Sequence, residues 1–209
     1  MSQLGLFSES AASWESLSLP DADLQYCSNW LKPEESERLF QYFMKQLDWK
    51  TSTLILYGRE QVVPRLNVWY GDAGANYYYS GANFNPRPFN PELNVLRESL
   101  QTELGAEFNS VLANLYRDGN DSVSWHADDE WELGPQPLIA SLSLGAPRRF
   151  SLKPIHQSSH KPKHIELASG SLLVMAGGTQ QHWHHQVPKV SSPIGPRINF
   201  TFRLVKLRS

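Results

Sequence analysis

Apolar residues recur at helical spacing in two stretches of the first half of the chain, and each stretch has its own boundary residues. The first begins at Pro33, which suits the first turn of a helix. The second has Asn90 as N-cap, Pro91 in the first turn and Gly105 as C-cap. The two apolar stripes consist of Leu39, Phe40, Phe43, Met44 and Leu47, and of Leu93, Leu96, Leu100 and Leu104. The pattern predicts two helices that pack one face on a core.

Between and after the helices the apolar pattern becomes that of short strands. Residues 53–65 predict a β-hairpin with Tyr57 and Gly58 at its tip. The aromatic, glycine-rich stretch 69–81 predicts an irregular surface lid. Further strands are predicted at 111–117, 123–128, 138–144, 149–153, 164–167, 171–176, 181–187 and 198–204. Many short strands after two helices are typical of an α+β, mainly β fold, a sandwich or barrel with the helices packed outside.

Length and composition restrict the class of protein. The chain has 209 residues, of which 40% are hydrophobic, so it can bury a core in one domain. No run of roughly eighteen apolar residues occurs, so no membrane association is expected. The first ten residues lack the pattern of a secretory signal, and a single cysteine, Cys27, excludes an internal disulfide framework. We expect a monomer in the cytoplasm, or in the nucleus of a eukaryote.

Charge is distributed unevenly along the chain, although the net charge is only −2. Residues 145–209 hold ten Lys and Arg against one acid, which gives +9. The remaining nine basic and twenty acidic residues give residues 1–144 a charge of −11. A basic face can bind phosphates on a protein that is neutral overall, and a solvated surface explains the same numbers equally well.

The segment SWHADDEW, residues 124–131, carries the first candidate chemistry. On a strand, side chains two positions apart point to the same face, so His126 and Asp128 are predicted to lie side by side. An imidazole beside a carboxylate can form an ion pair, a general-base dyad or part of a metal site. A third metal ligand would come from His182, His184 or His185. Two histidines and one carboxylate suit a non-haem Fe(II) oxygenase or a catalytic zinc site.

The segment RINFTFR, residues 197–203, indicates an anion site. Arg197 and Arg203 share one strand face with two polar residues, while the other face is apolar. Arginines on an inward face are expensive to bury unless they meet anions, and their planar fork suits a carboxylate. Asn114 and Tyr116 add an amide and a phenol on one face of another strand. A dicarboxylate beside a metal satisfies both observations, which makes 2-oxoglutarate a specific candidate.

Taken together, these motifs resemble the AlkB family of Fe(II)/2-oxoglutarate dioxygenases, most closely its branch for repair of alkylated DNA. The likeness extends over roughly residues 50–206. It is carried by YGDAG at 70–74, YYYSG at 77–81, NLYRDG at 114–119, HADDE at 126–130, SGSLLVM at 169–175, HQVP at 185–188 and RINFTFR at 197–203. The resemblance implies a double-stranded β-helix, or jelly roll, with its core at about 111–206 and a nucleotide-recognition lid at about 50–82. The composition of residues 1–30, with four acids, no basic residue and many serines, predicts a partly ordered arm.

The resemblance also implies the residues that bind the metal and the co-substrate. Fe(II) would be held by His126, Asp128 and His185, the last chosen because it stands directly before QVP. Arg197 and Arg203 would hold the carboxylates of 2-oxoglutarate. The residues that hydrogen-bond to it would be Asn114, Tyr116 and Asn199. O2 would complete the set of reactants.

Substrate residues follow from the same resemblance. Tyr77 and Tyr79 would stack on a flipped base, and Glu130 would lie near its exocyclic amine. Arg65 and the hairpin tip at Tyr57 would contact a duplex. The implied activity is oxidative removal of methyl groups from 1-methyladenine or 3-methylcytosine in single- or double-stranded DNA. RNA, a protein or a metabolite is the alternative substrate, and a jelly roll that binds a metal and a ligand without catalysis is the alternative class.

Overall fold

Two main sheets, a separate two-stranded sheet and three helices make up the secondary structure of the residues that the structure describes. It is a computed structural model, and it describes residues 13–56, 59–79, 82–156 and 161–206. The helices are α1 (Pro33–Gln46), α2 (Pro91–Leu104) and the short α3 (Thr179–His182), with a 3-10 turn at Trp131–Leu133. The strands are β1 (Trp14–Ser16), β2 (Asp23–Cys27), β3 (Lys50–Leu56), β4 (Arg59–Gly71), β5 (Tyr77–Tyr79), β6 (Ala82–Phe84), β7 (Ser110–Tyr116), β8 (Val123–His126), β9 (Ile139–Gly145), β10 (Arg148–Pro154), β11 (Lys163–Leu167), β12 (Leu172–Ala176), β13 (Trp183–Val187) and β14 (Arg197–Arg203).

The strands form a larger and a smaller antiparallel sheet, which confirms the predicted jelly roll. The larger sheet has the order β1-β2-β12-β9-β14-β7-β4-β3, and the smaller has the order β11-β10-β13-β8. Strands β5 and β6 pair separately. Apolar side chains from both sheets meet in one cluster, for example Ile139 and Met175 with Leu152 and Trp183. This cluster fills one part of the space between the sheets.

Helices α1 and α2 cover the outer face of the larger sheet, as their apolar stripes predict. The ring of Phe43 in α1 lies 4.7 Å from that of Phe200 in β14, edge to face. Phe200 and Phe202 belong to the same core cluster as Leu93 and Leu100 of α2. Because alternate residues of β14 point outward to the helices, the other residues of this strand point into the space between the sheets.

Helix α2 begins and ends where its sequence predicts. The Asn90 side chain accepts a hydrogen bond of 2.8 Å from the Leu93 amide, and Pro91 follows in the first turn. Gly105 ends the helix in the left-handed conformation, with φ of 60°. Both caps satisfy backbone groups that a helix end otherwise leaves without partners.

We expect Asn90→Ala to lower the free energy of unfolding by about 1 kcal/mol, because the N-cap acceptor is lost. Urea denaturation measures the change. Asn76→Ala is the matched control, since Asn76 is exposed and its side chain makes no hydrogen bond within the described residues. Equal stability of the two variants would show that the cap contributes nothing.

The structure differs from the sequence-based prediction at several elements. Residues 14–27, expected within a partly ordered arm, supply β1 and β2, and β2 pairs with β12 in the larger sheet. Trp69, assigned to a surface lid, is 3% exposed and lies within β4, where its indole donates to the Ala75 carbonyl. His182 belongs to α3 rather than to a strand. No helix among the described residues is long and apolar enough to cross a membrane.

Candidate metal centre and co-substrate pocket

Three side chains predicted as metal ligands meet in the space between the sheets. His126 is the last residue of β8, and His185 lies opposite it in β13. Asp128 lies two residues beyond the end of β8. The course of the chain after the strand therefore brings Asp128 to the histidines, and not the alternation of side chains within a strand. One ligand atom from each of the three lies within 4.8 Å of the others. The cluster therefore has the size that a single metal ion requires.

Neighbouring groups hold the ligands in a state suited to a metal. The Nδ1 atom of His126 lies 2.8 Å from the Ser124 carbonyl oxygen, so Nδ1 carries the proton and Nε2 keeps its lone pair. That Nε2 is 3.9 Å from Oδ1 of Asp128. The backbone amide of Asp128 donates to Gln180 Oε1 at 3.0 Å. Such contacts fix the orientation of ligands before the metal binds.

The electrostatics of the site favour the deprotonated form of every ligand. Burial, followed by the charge of His126, lowers the pKa of His185 to about 3. Burial also lowers the pKa of His126. For Asp128, burial alone would raise the pKa, but the charge of Arg203 and its hydrogen bond to the carboxylate outweigh burial, and the pKa lies well below its usual range. All three ligand side chains are thus free of the proton that a metal cation would have to displace at neutral pH.

We expect the affinity of the protein for Mn(II) to fall by about threefold at most between pH 7 and pH 5.5. Each histidine with an ordinary pKa of about 6.5 would cost roughly tenfold over that interval, because a metal must displace its proton. The lowered pKa values move this loss to lower pH. Isothermal titration calorimetry at both pH values measures the ratio. A fall near a hundredfold would show that both histidines titrate normally.

A cavity beside the metal ligands offers polar groups for a co-substrate. Its lining residues come from both sheets and are Ser52, Val63, Arg65, Asn67, Leu112, Asn114, Tyr116, Val123, His126, Asp128, Ser141, Phe150, Met175, His185, Val187, Asn199, Thr201 and Arg203. Four of the five residues predicted to bind 2-oxoglutarate belong to this set. The fifth, Arg197, lies behind Tyr116 rather than on the wall, with its guanidinium carbon 5.2 Å from the centre of that ring.

Arg197 carries the observation that fits a carboxylate ligand. It is 1% exposed, and its Nη2 donates to Ser143 Oγ at 2.9 Å. Its Nε and Nη1 have no hydrogen-bond partner among the described residues. Burial lowers the pKa of this guanidinium to about 10. Buried, unpaired donors of a cation are costly, and an anionic ligand would satisfy them.

Arg203 has a different position from Arg197. Its Nη2 donates to Oδ2 of Asp128 at 2.8 Å, and both side chains are about 5% exposed. Arg203 therefore lies at the metal end of the cavity, where it neutralises the charge of a metal ligand. Its contact with a carboxylate of 2-oxoglutarate stays a prediction.

The two predicted amide residues differ in what they can still donate. Asn114 accepts from Nε of Arg65 at 2.8 Å, and its own amide nitrogen has no partner among the described residues. Asn199 donates to Ser141 Oγ at 2.8 Å and to the Leu142 carbonyl at 3.1 Å, so both of its N–H groups are engaged. Asn114 can therefore donate to a ligand as it stands. Asn199 would have to exchange one of its bonds to do so.

The predicted substrate residues are only partly described. Arg65 is 8% exposed and donates to Asn114 and to the Ser122 carbonyl, so its guanidinium faces the cavity and not an outer surface where a duplex could lie. The predicted contact of Arg65 with a duplex stays a prediction. Glu130 is half-buried and precedes the 3-10 turn. The backbone of Tyr77 and Tyr79 lies in β5, and their side chains lie outside the described set, as does all of Tyr57.

Sequence reasoning missed three residues that support the site. Phe150 stacks on the His185 ring with centroids 5.2 Å apart. Gln180 bonds to the Asp128 amide, and Ser143 bonds to Arg197. Ser143 could have been found, because it alternates with apolar residues in a predicted strand next to the arginine strand. Nothing in the local sequence around Gln180 indicates its contact.

The fold and the site define a class, namely a jelly roll with a two-histidine, one-carboxylate metal site beside an arginine-containing cavity. Residues 23–203 match the family described as the 2OG-Fe(II) oxygenase superfamily. The chain is 40% identical over 187 residues to "Alpha-ketoglutarate-dependent dioxygenase alkB homolog 3" of Bos taurus, covering 86% of this chain and 65% of that one. It is 36% identical over 204 residues to "DNA oxidative demethylase ALKBH2" of Homo sapiens, covering 93% and 78%.

A solved structure agrees with the fold. "The structure of OsALKBH1" superimposes with a TM-score of 0.64 at 15% identity, covering 91% of this chain and 99% of that one. The chain belongs to the 2OG-Fe(II) oxygenase superfamily and, within it, to the AlkB family. The family description names 2-oxoglutarate and Fe(II), the co-substrate and the metal that the sequence predicts. The chain spans slightly less than two thirds of the length of the bovine relative.

Proposed function

We propose that this protein oxidatively demethylates N-alkylated bases in DNA, such as 1-methyladenine and 3-methylcytosine, and so repairs alkylation damage. The observation that carries the proposal is the cluster of His126, Asp128 and His185 beside a cavity whose wall residue Tyr116 has the buried Arg197 behind it. The name of the human relative supports DNA as the nucleic acid. The +9 charge of residues 145–209 is compatible with a phosphate backbone.

The chain's own residues would orient the reactants and control water. Bound Fe(II), with 2-oxoglutarate and O2, supplies the oxidation that hydroxylates the N-methyl carbon, and the resulting hemiaminal releases formaldehyde and the repaired base. His126, Asp128 and His185 would hold the metal, leaving the other positions open to the reactants. Arg197 and Tyr116 would bind a carboxylate of 2-oxoglutarate. The apolar wall with Val63, Met175 and Val187 would keep water away from the reacting groups.

A base must leave its stack to reach the metal ligands, since all three lie between the sheets. A base whose pairing edge carries a methyl group cannot pair normally, and it unstacks at lower cost than an intact base. This difference would contribute to the selection of damaged bases. The polar residues Arg65 and Asn114 on the cavity wall are available to a base or to the co-substrate.

The function is tested by reconstitution of the protein with Fe(II) and 2-oxoglutarate under anaerobic conditions. On admission of O2, we expect formaldehyde release from DNA oligonucleotides that contain 1-methyladenine or 3-methylcytosine. Matched RNA oligonucleotides form the second arm of the experiment. Turnover of 2-oxoglutarate without formaldehyde from either nucleic acid would contradict the proposal and would favour a protein or metabolite substrate.

Strands β3 and β4 form a hairpin, in which Leu56 pairs with Arg59 directly below the tip. Removal of a base leaves a gap in a duplex, which an aromatic side chain can partly fill. We expect Tyr57→Ala to reduce demethylation of duplex DNA by about tenfold, the equivalent of roughly 1.4 kcal/mol, and to leave single-stranded substrate nearly unchanged. Thr53→Ala, an exposed change in β3, is the control. Equal effects on both substrates would show that the hairpin tip has only a structural role and does not fill a gap in the duplex.

A further inference from the structure

A second buried arginine, Arg148 in β10, lies close to the co-substrate end of the cavity and has no place in the mechanism above. It is 1% exposed, which makes it one of the largest fully buried side chains among the described residues. Its guanidinium carbon lies 5.5 Å from the centre of the Tyr116 ring, over the ring. The Arg197 guanidinium lies 5.2 Å from the same centre. One aromatic ring on the cavity wall therefore contacts two buried cations.

The hydrogen bonds of Arg148 hold it in place without neutralising it. Its Nη1 donates to the Asp118 carbonyl at 3.1 Å, and its Nη2 donates to the carbonyls of Asp121 and Pro188 at 2.9 and 2.7 Å. The carboxylate of Asp121 accepts from the backbone and side chain of Arg117 instead. Within the described residues Arg148 forms no ion pair, and the nearby carboxylates of Asp121 and Asp118 act on its charge only at longer range.

These contacts join two loops to the strand that carries Tyr116. The first loop, residues 117–121, directly follows Tyr116, and the second begins at Pro188 after β13. The loops also meet in the backbone, since the Val190 amide donates to the Gly119 carbonyl at 2.8 Å. A Cβ at Gly119 would lie 2.2 Å from the Val190 carbonyl oxygen, so the approach requires glycine. Arg148 is thus the side chain that fixes this closed end behind Tyr116.

We propose that Arg148 is a positioning residue for 2-oxoglutarate, which holds Tyr116 against Arg197 and adds a second positive charge at the end of the cavity remote from Arg203. A ligand with a second carboxylate gains from this arrangement, whereas a ligand with only the metal-binding 2-oxo acid group does not. Arg148 therefore contributes to the choice of co-substrate without touching it. The inference rests on the metal and co-substrate of the proposed function, but it is independent of the nucleic-acid substrate.

The test compares the binding of two 2-oxo acids to the Mn(II)-loaded protein without O2. 2-Oxoglutarate has a distal carboxylate, and 2-oxobutyrate lacks one. Calorimetry measures the tight ligand, and water-proton relaxation of the bound Mn(II) measures the weak one. We expect Arg148→Met to weaken 2-oxoglutarate about tenfold and 2-oxobutyrate less than twofold, a change within the range of a buried cation–π contact. The kcat at saturating 2-oxoglutarate should change much less than its KM.

Two further variants keep the proposal open to contradiction. Arg148→Lys retains the charge but cannot reach all three carbonyls, so we expect the same selective loss at smaller size; it replaces Arg148→Met if that protein fails to fold. Arg149→Met removes a positive charge from the next residue of β10, at an exposed side chain, and it should leave both affinities unchanged. Equal loss of both 2-oxo acids in the Arg148 variants, or no loss of either, would overturn the proposal. Because no nucleic acid is present, failure of demethylation would not affect this result.

Discussion

Replacement of Asp128 by alanine is expected to reduce formaldehyde release to the level of the metal-free protein. Asp128 is the only anionic member of the ligand cluster, and its loss leaves two neutral imidazoles for a divalent cation. It also leaves the buried Arg203 without its carboxylate, and a broken buried pair costs about 3–5 kcal/mol of stability. Loss of activity must therefore be separated from loss of fold, which circular dichroism and thermal denaturation of the variant determine.

Asp128→Asn provides that separation. The amide oxygen can still accept from Arg203, so this variant should be more stable than Asp128→Ala, while its ligand atom no longer carries a charge. We expect both variants to lack turnover and to bind Mn(II) far more weakly than the parent protein. Turnover like that of the parent in a folded Asp128→Asn protein would contradict the assignment of this residue as a ligand.

The neighbouring histidines His184 and His185 supply a matched pair for the same assignment. His185 is 4% exposed and turns toward His126, with ring centroids 4.2 Å apart. His184 points to the other face of β13, opposite Lys153 of β10 in register. His185→Ala should abolish turnover and His184→Ala should retain most of it. The reverse result would move the third ligand to His184.

The sequence predicted the parts of this site that depend on strand alternation and helix boundaries. The seven residues of β14 alternate as expected, with Phe200 and Phe202 toward the helices and the arginines toward the cavity. Helix α2 starts and stops at its cap residues because caps act within one turn, and therefore are visible locally. The choice of His185 over His182 required the family resemblance. The two histidines are three positions apart, and the strand predicted at 181–187 contains both.

Contacts between distant segments could not be predicted from the sequence. Strand β8 ends at His126, and beyond it Asp128 is held in the cluster by hydrogen bonds with Gln180 and Arg203. Asn67 and Ser52, which share a 2.6 Å hydrogen bond on the cavity wall, are 15 positions apart, and a register shift in β3 accompanies the contact. Such pairs depend on tertiary packing, which a single sequence does not reveal. Arg148 shows the same limit, because its charge suggests a surface position and its burial shows otherwise.

Arg197→Met is expected to weaken 2-oxoglutarate binding by tenfold to a hundredfold and to leave DNA affinity nearly unchanged. Charge-assisted hydrogen bonds to a buried arginine contribute roughly 1.5–3 kcal/mol, which corresponds to that range. The Nε and Nη1 atoms, unpaired among the described residues, are the donors that would make these bonds. Methionine fills a similar volume without charge, so the packing against Tyr116 should be largely retained.

Calorimetric titration of 2-oxoglutarate into the Mn(II)-loaded protein measures the effect of Arg197→Met directly. Arg149→Met is the control, because Arg149 is exposed on β10 and pairs across the sheet with Glu166. It removes the same charge from the chain at a position outside the cavity, so any general effect of net charge appears in both variants. An unchanged affinity in Arg197→Met would mean that this buried arginine serves a different anion. In that case the co-substrate would depend on Arg203 and Asn114, the donors that line the cavity itself.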